Sequence, residues 1–253
     1  MDASNRLPAM LWMVRHGQSA GNVARDLAES GGHHLIDIAT RDMDVPLSPL
    51  GERQSNAVGH WFGRLPPGER PTAVLCSPYL RARQTAERLV DAAGWRDLPI
   101  EFDERLREKE FGIVDRLTAA GIRSKYPELA EQRAHVGKFY FRPPGGESWC
   151  DVVLRLRGVL DTLGLEYAGE RVLVVGHQVI ASCLRYLIER LDEASLLALD
   201  ARGEIPNCAV SSYRFSATAG ARGRLVPDLV NFTAPVSDEG TPVTRAPDAA
   251  VAP

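Results

Sequence analysis

This chain lacks the features that would direct it to a membrane, a nucleic acid or a disulfide scaffold. No apolar run approaches the roughly 20 residues that a membrane-spanning helix needs. The start, Met1-Asp-Ala-Ser-Asn-Arg-Leu-Pro, has no apolar core, so no secretory leader is expected. The formal net charge is only −3, so neither nonspecific nucleic-acid binding nor attachment to an anionic membrane is expected. The four cysteines, Cys76, Cys150, Cys183 and Cys208, form no Cys-x-x-Cys pair and fall among apolar neighbours. They read as reduced, buried thiols and predict a cytoplasmic protein. His33-His34 and His60 have no carboxylate or cysteine cluster at ligand spacing, so neither a metal nor a cofactor is expected. No internal repeat is visible, and nothing in the chain indicates an oligomeric state.

What the chain does contain is two histidines, each at the end of an apolar run. Leu11-Trp-Met-Val ends in Arg15-His16-Gly17, and Val172-Leu-Val-Val ends in Gly176-His177. Ligands of an open parallel sheet bind outside the carboxyl ends of its strands, so both histidines can face one cleft.

Between these points strand and helix patterns alternate. Strands are predicted at residues 10 to 14, 72 to 76, 100 to 102 and 171 to 175, with later ones near 209 to 215 and 224 to 230. Residues up to Asp44 read as a long glycine-punctuated loop with room for a short helix. Ser48 caps a helix with Pro49 at its first position. Ser77 and Pro78 cap another, running to about Ala93. Further helices are predicted near 119 to 126, after Ser148 (with Asp151 completing the cap), and after His177. The expected fold is α/β: a single three-layer α/β/α sandwich with a largely parallel open sheet. One domain spans 1–232, with its core at about 10–232. Residues 233–253, rich in Ala, Pro and Thr, are expected to be a disordered tail.

The motifs of this chain resemble those of the histidine phosphatase (phosphoglycerate mutase-like) superfamily. Arg15-His-Gly-Gln-Ser-Ala-Gly-Asn22 is similar to its first histidine motif, and Leu47-Ser-Pro-Leu-Gly-Glu-Arg-Gln54 to its next helix start. Ser77-Pro-Tyr-Leu-Arg81 resembles its second arginine motif, Leu106-Arg-Glu-Lys-Glu-Phe-Gly112 its acid motif, and Val174-Val-Gly-His-Gln178 its second histidine motif. The resemblance runs from about Leu11 to Phe215 and implies a phosphoglycerate mutase-like sandwich with one site, which is why one domain is chosen.

The implied reaction is hydrolysis of a phosphomonoester in two steps through a phosphohistidine. Neutral His16 is the nucleophile, its other ring nitrogen held by an acceptor that sequence cannot identify. Arg15 and Arg81 supply planar donors for the phosphoryl oxygens. The resemblance makes His177 a donor to the same group, Asn22 a neutral donor and Glu108 the acid for the leaving alkoxide. Gly17 and Gly176 permit close backbone approach. Glu110 and Arg83 read as surface charges.

Specificity must come from outside this pocket. Lys138-Phe-Tyr-Phe-Arg-Pro-Pro-Gly-Gly-Glu-Ser148 resembles the lid of fructose-2,6-bisphosphatase domains, and so does Gln178 after His177. Lys138, Tyr140 and Arg142 are therefore candidate substrate contacts, or else a packed lid with solvated cations. Ser182 and Tyr140 stand where the bisphosphatase carries arginines, and no Gly-x-x-x-x-Gly-Lys loop precedes the motifs. The expectation is a metal-independent phosphatase of small phosphorylated metabolites, with a small-molecule phosphate ester as its partner. A phosphoglycerate mutase and a catalytically silent phosphate-binding module are the alternatives.

Overall fold

The computed structural model describes residues 7–203 and 205–245. The chain runs β1 (Met10–Arg15), α1 (Ala20–Ser30), α2 (Pro49–Gly63), β2 (Ala73–Cys76), α3 (Leu80–Ala92) and β3 (Ile100–Phe102). Two short helices follow, α4 (Ala119–Lys125) and α5 (Pro127–Val136). Then come α6 (Trp149–Glu166), β4 (Arg171–Gly176), α7 (Gln178–Glu189), α8 (Glu193–Ala201), β5 (Val210–Ser216), β6 (Arg224–Phe232) and α9 (Ala234–Asp238).

The strands form one sheet in the order β3-β2-β4-β1-β5-β6. Its first four strands are parallel, and β5 and β6 join antiparallel. Both faces are covered, which is why β1 and β4 read as continuous apolar runs rather than alternating ones. Met10, Trp12 and Val14 of β1 face Val58 and Phe62 of α2 and Ala86 and Leu89 of α3. Leu11 and Met13 face the other layer, with Leu156 and Val159 of α6 and Ile180 and Leu184 of α7. Each buried aliphatic side chain contributes about 1.5–3 kcal/mol by leaving water. The helices after β1 and β4 thus depart to opposite faces, and a crevice opens between them at the carboxyl ends of these adjacent strands.

Local signals account for most helix starts. Ser48 caps α2 by accepting from the Gly51 amide at 3.0 Å, with Pro49 in the first turn. Ser148 and Asp151 form a reciprocal capping box on α6. Two expectations change. The loop before Asp44 contains an eleven-residue helix, α1, started by a capping box between Ser19 and Asn22. The helix after β2 begins at Leu80 with no side-chain cap, because the Ser77 hydroxyl is used elsewhere.

The C-terminal expectation is corrected over its described part. Residues 233–245 are not a disordered tail: α9 packs on α2, with Val236 fully buried. Beyond it, Gln54 of α2 donates to the Pro242 carbonyl at 2.8 Å and to the Thr244 hydroxyl at 3.0 Å. The apolar residues Val236 and Val243 hold the segment down. Residues 246–253 of the expected tail lie outside the described residues.

Gly51 shows how tightly the first turn of α2 meets the loop after β1. A Cβ there would lie 2.0 Å from the Gln18 carbonyl oxygen, whereas one on Gly68 would meet nothing within 4 Å. Gly51→Ala is expected to destabilise the fold by about 1–3 kcal/mol and to lower activity by moving the loop, with Gly68→Ala near neutral. Denaturant unfolding and kcat/KM of the two variants check this.

Candidate active site

The register of β1 on β4 pairs Arg15 with Gly176 and sets the next residues, His16 and His177, side by side. The His16 amide donates to the Gly176 carbonyl at 2.9 Å. The two imidazoles lie 5.1 Å apart, edge to face. Both histidines are fully buried.

His16 Nδ1 lies 2.7 Å from the Gly17 carbonyl oxygen. A carbonyl only accepts, so the proton sits on Nδ1 and the lone pair on Nε2. Arg81 Nε, from the first turn of α3, donates to that Nε2 at 3.3 Å. One turn further along α3, Thr85 accepts from the Gly17 amide at 3.1 Å and donates to the Arg81 carbonyl at 2.7 Å. One threonine thus ties the histidine loop to the helix that carries the arginine. The Gly17 N–H is committed to Thr85, and a Cβ on Gly17 would lie 2.4 Å from the Gly51 carbonyl oxygen. Its need for glycine is packing against α2.

Arg15 is also fully buried, and its Nη1 donates to the Ile205 carbonyl. His177 Nε2 shares a hydrogen bond of 2.7 Å with the Ser77 hydroxyl, which also accepts from the Tyr79 amide at 3.2 Å. The Tyr79 ring lies 5.3 Å from the His177 ring and 5.2 Å beneath the Arg81 guanidinium. Its hydroxyl donates to Glu110 at 2.8 Å, and burial together with that carboxylate pushes the phenol well above its ordinary range. Glu110, read as a surface charge, thereby anchors a wall of the site.

Glu108 is fully buried. One of its oxygens accepts from the Lys109 amide at 2.8 Å, and the other from the Val179 amide in the first turn of α7 at 3.3 Å. The helix that follows His177 therefore holds the candidate acid. Asn22 turns its carbonyl oxygen to Ser19 at 2.9 Å and to Asn207 at 3.4 Å. Asn207 also donates to the His16 carbonyl at 3.1 Å and is itself held by Thr244 at 2.9 Å. Gln178 is buried at the start of α7 and lines a cleft of about 360 Å³ with Ser182, Arg185 and Asp200.

The lid candidates are placed differently. The Lys138 ammonium pairs with Asp200, on that cleft, and stands 5.2 Å over the Trp149 ring. Arg142 is turned to Asp151, the capping residue of α6, with Nε 2.7 Å from its carboxylate. Tyr140 is 56% exposed. Glu147 of the Gly-Glu-Ser stretch binds Arg107 at 2.8 Å and Arg155 at 3.0 Å. Both lid cations are paired within the chain, while Tyr140 and Arg142 remain exposed.

The family model of the histidine phosphatase superfamily (branch 1) matches residues 11–223. The chain belongs to that superfamily. Among curated proteins it is 35% identical over 186 residues to a 6-phosphofructo-2-kinase/fructose-2,6-bisphosphatase of Caenorhabditis elegans, covering 73% of this chain but only 35% of the nematode protein's length. It is 30% identical to a 2,3-bisphosphoglycerate-dependent phosphoglycerate mutase of Gloeobacter violaceus, covering 83% of this chain and 87% of that one. Among solved structures it is similar to a mycobacterial glucosyl-3-phosphoglycerate phosphatase in complex with inorganic phosphate, with a TM-score of 0.68 and 26% identity. That likeness covers 90% of this chain and 99% of the other.

Several residues of this candidate site were not read from the sequence. Ser77, Thr85 and Asn207 act through contacts that only the fold creates. Asp42 grips Arg81, and Lys109 lies beside Glu108. For Lys109 the only signal was a cation next to the candidate acid, in a segment crowded with other charges. It is only 8% exposed, its ammonium stands 4.5 Å over the Phe111 ring, and no carboxylate among the described residues lies within ion-pair distance.

Burial pulls the Lys109 ammonium down from 10.5 to about 8, against the pull of Glu108 and Glu147. Between those values the unfolded chain holds more protons than the folded one, so stability rises with pH across that window. Lys109→Met is expected to raise stability by about 2–3 kcal/mol at pH 7, with the gain fading between pH 8 and 10.5. Urea unfolding at a series of pH values checks both the sign and the window.

Proposed function

We propose that this chain is a phosphomonoester hydrolase of small phosphorylated metabolites, of the sugar phosphate or phosphoglycerate-like kind, working through a phosphohistidine on His16. The observation that carries the reading is the His16 ring itself, with Nδ1 held by the Gly17 carbonyl and the lone pair of Nε2 facing Arg81. That is the tautomer an in-line attack on phosphorus needs.

In the first step His16 Nε2 bonds to phosphorus as the ester P–O bond breaks, and Glu108 gives a proton to the departing alkoxide. In the second, water attacks the phosphorus, Glu108 takes a proton from it, and the P–N bond breaks to release inorganic phosphate. Arg15, Arg81 and His177 offset the charge on the phosphoryl oxygens, with the amide of Asn22 as a further donor. Gln178 and Lys138, the latter paired with Asp200, are the proposed contacts for the leaving group. No metal enters the scheme. The names of the nematode bisphosphatase and the mycobacterial phosphatase support the substrate class. The unpaired cysteines support a reducing, cytoplasmic setting. Among the described residues no helix is long and apolar enough to cross a membrane.

The mutase relative, covered over 87% of its length, favours a second reading in which the phosphoryl group is retained and passed on. The two part on the fate of phosphorus.

Inorganic phosphate release from a panel including fructose-2,6-bisphosphate and 3-phosphoglycerate, in excess chelator, is expected for the wild type and not for His16→Ala. Interconversion of phosphoglycerates without release would establish the mutase, and neither would leave a silent phosphate-binding module. Glu108→Gln is expected to lower kcat by about 10²–10⁴ on alkyl phosphates and far less on p-nitrophenyl phosphate, whose leaving group needs no proton. Equal losses on both would remove Glu108 from the role of acid.

A further inference from the structure

Arg81 is the arginine placed to clamp the phosphoryl group, yet its fork already holds an anion. Its Nη1 donates to the Asp42 carbonyl at 2.6 Å and to the carboxylate oxygen Oδ1 at 3.0 Å. Its Nη2 donates to Oδ2 at 3.1 Å, while Nε addresses His16. This is the paired, side-by-side grip that a guanidinium offers to two phosphoryl oxygens. A carboxylate and a phosphoryl group cannot occupy the same two donors, and two anions held there together would repel each other.

The two partners differ in exposure. Arg81 is buried, fixed by its place in α3 and its bond to His16. Asp42 opens a three-residue turn, Asp42–Asp44, and its side chain is 33% exposed. It also borders a cleft of about 450 Å³ lined by Gly21, Ile38, Phe111, Asp115 and Arg116. Rotation of that part-exposed side chain towards the cleft frees Nη2 and one N–H of Nη1 without moving the helix, while the Asp42 main-chain carbonyl keeps the other N–H of Nη1. The groups that meet Asp42 there are Asp115, which disfavours its arrival, and Arg116, which favours it. Arg25 on the same wall is turned to Glu29 at 3.1 Å.

We infer that Asp42 is an internal competitor for the phosphoryl clamp, holding Arg81 between turnovers, yielding to substrate and displacing inorganic phosphate after hydrolysis. The inference rests on the proposed phosphatase reading and gives it a direction: a site that expels its phosphate turns over, whereas a mutase must retain it. Asp42 acts through Arg81 and is therefore a positioning residue.

The test is calorimetric binding of inorganic phosphate and of orthovanadate to the wild type, Asp42→Asn and Asp42→Glu. The asparagine keeps the shape and removes the charge, so both anions are expected to bind about tenfold or more tightly, as loss of one charge-assisted competitor implies. The glutamate keeps the charge and is expected to stay within about threefold of the wild type on the same ground. KM for substrate falls with the phosphate constant in Asp42→Asn. Unchanged, weaker or undetectable anion binding in Asp42→Asn, with a wild-type melting curve, overturns the inference and leaves Asp42 as a brace for the arginine. Binding is read without turnover, so a chain that hydrolyses nothing still reports on the clamp, while a chain that hydrolyses well with unchanged phosphate affinity defeats only the role of Asp42.

Discussion

Everything in this site depends on the parallel pairing of β1 with β4. That pairing brings together two residues 161 positions apart, His16 and His177, by setting Arg15 opposite Gly176. A register slip of one residue would turn every side chain of the strand to the other layer, exchanging Leu11 and Met13 for Trp12 and Val14. Both layers are fully packed, so the slip is forbidden by the core rather than by the site. The geometry of the candidate site thus inherits its accuracy from apolar residues of the two core layers.

Around that pair the chain buries an unusual amount of charge. Arg15, Arg81 and Glu108 are essentially inaccessible, as are both histidines. Buried charge is tolerated only where donors and acceptors are supplied, and much of the supply comes from main chain. Ile205 and Asp42 offer carbonyls to the arginines, and Lys109 and Val179 offer amides to the glutamate. Backbone partners do not rotate away when a ligand arrives, so the charges are pre-positioned. Asp42 adds a side-chain grip on Arg81 through its part-exposed carboxylate, and Lys109 has no carboxylate within ion-pair distance among the described residues.

Much of the fold was legible because its signals are local. Strands buried on both faces show as apolar runs, and Ser48-Pro49 and Ser148-Asp151 announce their helices. The candidate site residues could be grouped from sequence because their motifs sit at strand ends and helix starts. What escaped depends on pairings far apart in the chain. Lys138 and Arg142 look like free lid cations until Asp200 and Asp151 are seen beside them. Ser77 looks like a helix cap until β2 and β4 are neighbours and His177 takes its hydroxyl. Helix α1 was read as no more than a short helix within a loop because its box uses Asn22 in place of the usual Glu or Gln. The C-terminal segment has the composition of a tail and is held by two apolar residues and a few polar bonds, too little for a pattern to show.

That last segment has a consequence for the order in which the molecule completes itself. A ribosome delivers Gln54 long before its acceptor at Pro242, 188 residues later, and Asn207 before its brace at Thr244. The sheet and both helical layers can assemble while the loop after β1 still lacks its outer support. The nascent chain is thus expected to pass through a stage that has its sheet, its helical layers and all the candidate site side chains, but in which the loop carrying His16 has not yet been locked.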